Sequence, residues 1–208
     1  MNQIKKDIIN FFVSLYSIIN RDFTIQVRNL TDLSGLLSFF IIAILIFIFS
    51  IGPDEERLRT IGMPILWTIL ILSNCFAANK SLKDDFQDGN FAMYNFAGFS
   101  FEVIAVLKII TSWVLYQLPL LILVPLVCII LNISIEKTYL LLITMLIGSP
   151  ILTILTLIAG AMTLTNNKNI TLTSLIILPM SIPVIIFALG ALNTNLDLFS
   201  SQMYILTS

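Results

Sequence analysis

The chain has 208 residues, 58% of them hydrophobic and only 11% charged, with a net charge of −1. Five stretches of 20 or more residues carry no charge at all: 33–53, 60–79, 109–135, 138–167 and 169–196. A soluble domain could not hide so much apolar sequence and still present a charged surface, whereas a bilayer-crossing helix needs about 20 mainly apolar residues. The pattern is that of an all-α polytopic membrane protein. Without a basic block there is no electrostatic basis for nucleic-acid binding. The absence of His removes the commonest metal ligand and general base. Cys75 and Cys128 lie in separate apolar runs and read as small buried hydrophobes rather than as a disulfide framework.

Residues 1–32 mix apolar and charged side chains and do not read as a cleavable signal peptide. Over 4–30, Ile4, Ile8, Phe11, Phe12, Leu15, Ile18, Ile19 and Phe23 recur at spacings of three and four, which places them on one helix face. An amphipathic helix in the cytoplasmic membrane interface is expected, the alternative being a tail helix packed on a partner. The first span is expected at about Leu33–Ile51, closed by Gly52-Pro53. The charged link 54–59 reads as a short exposed loop. The second span follows at about Ile61–Ala78, with Pro64 near its start and Trp67 as an interface anchor.

Residues 79–102 form the longest polar interval, with a helix expected over Ser81–Gln87 and Gly89 ending it. The third span is placed at about Ile104–Leu131, with Lys108 near its start. Pro119 and Pro125 are expected to kink or unwind it. The fourth, about Tyr139–Leu164, contains Pro150, and the fifth, about Ile170–Ala191, contains Pro179 and Pro183. These prolines are expected to shape helices rather than to bind substrate. Residues 193–208 are too short after Asp197 for another crossing and are expected to form a periplasmic or interfacial tail, with Phe199, Met203, Tyr204 and Ile205 along the interface. With the N-terminus cytoplasmic, eight Lys and Arg fall on the cytoplasmic side and three opposite, which favours that orientation.

No phosphate-binding loop, HExxH or CxxC motif is present, so ATP hydrolysis or metal-assisted catalysis by this chain is not expected. The five spans contain no Asp or Glu, which disfavours an ion-driven carrier. Asn74 and Gln117 are the costliest polar residues at depth. Each either hydrogen-bonds a neighbouring helix or lines a polar path. Between spans two and three, Leu82 and Phe86 stand four apart among charges, the pattern of a short amphipathic helix that inserts into a groove on a partner. A solvated loop is the equal alternative.

The run Leu82-Lys83-Asp84-Asp85-Phe86-Gln87-Asp88-Gly89 resembles the signature of the CcmB family, haem exporter protein B of cytochrome c maturation, which reads close to F-x-x-D-x-x-D-G. Ser50-Ile51-Gly52-Pro53, Leu118-Pro119 through Val124-Pro125-Leu126, Gly148-Ser149-Pro150 and Leu178-Pro179 through Ile182-Pro183 follow in the family's order, over about residues 4–192. The chain departs from the family pattern after Gly89, where Asn90-Phe91-Ala92 lacks an acidic residue. It departs again at Phe96-Ala97-Gly98-Phe99-Ser100, where a proline-containing turn is usual. The family's sixth span is also expected to be missing. The resemblance implies a type-2 ABC exporter-like domain: residues 1–32 as interfacial helix, 33–192 as membrane domain with a cytoplasmic coupling segment at 79–102, and 193–208 as tail. It implies a CcmA-like ATPase as partner, which would use the ATP, together with CcmC-like and CcmD-like membrane proteins and, indirectly, a CcmE-like haem chaperone. Haem would be the substrate of the complex and not a cofactor of this chain, which lacks His for axial ligation. Outside the resemblance, a type-2 exporter for a lipid or polysaccharide and a non-transporting scaffold remain the competing readings.

Overall fold

The computed structural model describes residues 17–21, 23–24, 30–77, 80–96, 98–164 and 170–207. The expected interfacial helix over 4–30 therefore falls mostly outside the described residues. The described part of that segment is helical at 17–21 and 23–24.

Helix α1 (Leu30–Ile51) ends where Gly52 turns to φ +80 and Pro53 cannot continue the ladder. Helix α2 (Glu55–Ala77) starts earlier than the sequence reading allowed. Asp54 is its cap: the carboxylate accepts the Arg57 backbone N–H at 3.1 Å, and Glu55 and Glu56 lie in the first turn, where negative charge suits the helix dipole. The charges at 55–59 are thus the first turns of the helix, not a loop. Pro64 consequently sits in the third turn, inside the helix, rather than at its start.

Two short helices, α3 (Lys80–Gln87) and α4 (Asn90–Phe96), precede the third span. That span runs continuously as α5 (Phe101–Ser112), a wider π turn (Trp113–Gln117) and α6 (Leu118–Ile130). The π turn is the local unwinding expected near Pro119. The Leu118 N–H reaches back five residues to the Trp113 carbonyl, and the enlarged turn eases the clash that a proline ring makes with the preceding turn. Asn132, at φ 53, closes α6: the Ile133 N–H bonds the Cys128 carbonyl at 2.9 Å and the Asn132 amide holds Glu55 at 3.1 Å.

Helices α7 (Ile135–Thr163) and α8 (Ile170–Thr207) complete the bundle. Pro125, Pro150, Pro179 and Pro183 lie within helices that continue through them. Beyond Leu192 the backbone of α8 stays helical to Thr207. At 38 residues the helix is about 57 Å long, since each residue advances it 1.5 Å. The stretch 193–207 holds no Gly or Pro to stop it. Its side chains, including Phe199, Met203, Tyr204 and Ile205, lie outside the described residues.

Among the described residues five helices are long and apolar enough to cross a membrane: Leu33–Ile51, Glu55–Cys75, Phe101–Ile130, Ile135–Thr163 and Leu172–Leu192. The main packing pairs are α7 with α8, α1 with α2, and α2 with α8. Trp67, expected at the membrane surface, is instead fully buried. It lies midway along α2 because that helix begins six residues before Ile61, and its ring packs on Gly148 of α7. A Cβ on Gly148 would lie 2.5 Å from the Trp67 ring, so only glycine admits this approach.

Candidate functional site at the segment between the second and third spans

Gly89 sets the corner between α3 and α4. It adopts φ +71, and its N–H bonds the Phe86 carbonyl at 3.3 Å, the hydrogen bond of a glycine-capped helix end. The α4 end repeats the device: Gly98 takes φ +85, and the Phe99 N–H returns to the Tyr94 carbonyl at 3.1 Å. Tyr94 and Phe99 are buried together with Ile104, and Phe91, Val103 and Ile18 pack around them. The departure from the usual proline-containing turn is thus a glycine turn closed by an aromatic contact. Arg21 clamps this corner from the N-terminal segment. Its guanidinium lies 5.7 Å from the centre of the Tyr94 ring and donates to the Tyr94 hydroxyl.

The two faces of α3 differ. Leu82 and Asp85 are turned inward, 9% and 8% exposed, whereas Phe86 is 49% exposed and Gln87, Asp88 and Gly89 are open. Leu82 and Phe86, expected to share one face, therefore divide: Leu82 anchors the helix and Phe86 stands at its rim. The side chains of Lys83 and Asp84 lie outside the described residues. Asp85 faces the bundle. Its Oδ2 pairs with Nζ of Lys108, on the second turn of α5, and its Oδ1 accepts the Asn90 amide at 2.8 Å. Lys108 is 3% exposed. The sequence puts Lys108 near the start of the span and does not by itself name its partner. The available signal was a lone cation among apolar residues, which must find an acid, and the nearest acidic cluster was Asp84-Asp85.

Asn74 and Gln117 meet in the interior. Gln117 donates through Nε2 to Asn74 Oδ1, and Asn74 donates to the Leu70 carbonyl at 3.0 Å. Both are almost fully buried, so their geometry is that of a helix contact. One turn away, Trp113 Nε1 donates to Ser149 Oγ at 2.9 Å. The π turn thus ties the third span to the second and the fourth. Pro183 lines an apolar cavity of about 460 Å³ between α7 and α8 with Gly148, Ile151, Val184 and Phe187. Among the described residues no group of three or more His, Cys, Asp or Glu could hold a metal ion.

The chain matches the model of the CcmB protein family over residues 13–207. Heme exporter protein B of Haemophilus influenzae is 32% identical over 176 residues, 85% of this chain and 80% of its own length. The protein of the same name from Bradyrhizobium diazoefficiens is 30% identical over 179 residues, 86% and 80% of the two chains. That of Escherichia coli K12 is 30% identical over 178, covering 86% and 81%. The chain belongs to the CcmB family and is a multi-pass membrane subunit of that kind.

Proposed function

We propose that this chain is the membrane subunit of an ABC-type complex for haem export or delivery in c-type cytochrome biogenesis. A CcmA-like partner hydrolyses the ATP, and this subunit couples that step to haem delivery or to release of the haem-loaded CcmE-like chaperone. CcmC-like and CcmD-like proteins are its membrane partners. The N-terminus lies in the cytoplasm, a reading supported by the excess of Lys and Arg in the N-terminal segment and the 79–102 interval. Haem is substrate.

The observation that carries the reading is the outward face of α3. A short helix between two spans, held by Leu82 and Asp85 beneath, presents Phe86 with Asp88 beside it. An aromatic side chain that fills a groove on a partner supplies binding energy, and rim charges set register. Glu136 and Lys137, at the α6–α7 end of the bundle, lie in the first turn of the long helix α7 and not on a separate short helix between spans. The test is recovery of the ATPase subunit with the full chain from detergent extracts. Phe86→Ala is expected to cost about 2 kcal/mol of binding, roughly thirtyfold in affinity. Asp88→Lys should weaken capture further in low salt. Undiminished recovery with both variants contradicts α3 as the docking element, and no recovery by the unaltered chain contradicts its cytoplasmic placement.

A further inference from the structure

We propose that Asp85 and Lys108 are positioning residues: their buried pair fixes the rotation of α3 on the third span and thereby aims Phe86 and Asp88 outward. The proposal deepens the docking reading and rests on it only for what α3 is aimed at. A helix of eight residues is too short to hold itself in water, so its orientation must come from contacts beneath it. Leu82 supplies one apolar contact, but an apolar side chain tolerates sliding and rotation. A carboxylate 8% exposed against an ammonium 3% exposed does not. Turning α3 by one residue, about 100°, would pull the acid off the base and separate two buried, opposite charges.

The pair is also locked at both ends. Asn90 holds the second carboxylate oxygen at 2.8 Å, which stops Asp85 from swinging. Lys108 stands on α5, and five residues further on begins the π turn, whose Trp113 and Gln117 bond Ser149 and Asn74 of two other spans. A displacement of α3 is therefore passed to a segment anchored in the bundle interior. In this arrangement Asp85 serves the docking surface without touching what docks there.

The experiment uses the full chain in lipid nanodiscs, with Cys75→Ala and Cys128→Ala and spin labels at Asp88→Cys and Glu102→Cys, both exposed positions. Electron–electron double resonance reads the label-to-label distance without any partner. The parent should give one narrow distribution. Lys108→Met and the near-isosteric Asp85→Asn should each at least double its width, and the double reversal Asp85→Lys with Lys108→Asp should narrow it again. A distribution as narrow in both single variants as in the parent overturns the proposal, as does a double reversal that stays broad. Using two single variants covers the case in which one of them fails to fold. ATPase capture is measured with the same substitutions at positions 85 and 108 in the unlabelled chain, where Asp88 and Glu102 are intact. Loss in the single variants with recovery in the double reversal supports positioning, whereas loss in all three means that Asp85 touches the partner and overturns it. Widths that change as expected while capture ignores even Phe86→Ala leave the positioning pair standing and remove the docking reading.

Discussion

The first and second spans are neighbours, yet they are built on opposite principles. Leu33–Ile51 has a mean hydropathy of 2.7 and is 17% buried, while Glu55–Cys75 has 1.4 and is 56% buried. In a soluble domain the more apolar element would be the more buried. In a membrane, lipid is as apolar as leucine, so apolarity marks contact with lipid, and the bundle interior is specified by shape and polar pairs. The second span accordingly carries Trp67 against Gly148 and Asn74 against Gln117, and the first carries Ile42, Ile46 and Phe49 outward.

That contrast can be broken in three places, each read by equilibrium unfolding of the chain in mixed micelles. The largest difference is expected between two aromatic truncations. Trp67→Ala removes a fully buried ring and should cost about 3–5 kcal/mol, whereas Phe49→Ala, at 81% exposure, should stay within about 0.5 kcal/mol. Equal losses would mean that Trp67 is not a core residue. Next come two glycines. Gly148→Ala forces a methyl into the Trp67 ring and should destabilise by about 1–3 kcal/mol. Gly35→Ala meets nothing within 4 Å and should be neutral or gain up to about 1 kcal/mol from helix propensity. The smallest effect is expected at the polar pair. Asn74→Leu or Gln117→Leu alone should each cost about 1–2 kcal/mol by leaving a buried amide unmatched, and the double change should cost less than their sum. Strict additivity would show that the two amides do not depend on each other.

The spans and their breaks were legible because charge-free length and Gly-Pro punctuation act locally. The start of the second span was not, although Asp54 followed by two glutamates is a helix-start signal. The charges at 55–59 interrupt the apolar pattern, yet they form the first turns of α2, which sets Pro64 and Trp67 deeper in the helix than the apolar run alone suggests. Pro119 indicated a break in the third span, but nothing in the local sequence chooses a π turn over a kink. The continuation of α8 past Leu192 is not legible in the apolar pattern, because apolarity ends there and a helix does not require it. At the candidate site the α3 helix and its Gly89 end were readable. The inward turn of Asp85 was not, because its partner Lys108 is 23 positions away on another helix, and one-dimensional spacing carries no information about which face a neighbour occupies.

The central claim is that α3 meets its partner through Phe86 and Asp88 while Leu82 and Asp85 stay inside. Photo-crosslinking tests it most directly, with benzoylphenylalanine introduced singly at positions 82, 85, 86 and 88 of the full chain expressed beside the other subunits. Crosslinks to the ATPase subunit are expected from positions 86 and 88 and not from 82 or 85. Crosslinks to it from 82 or 85 as strong as those from 86, or none from any of the four, would contradict the claim.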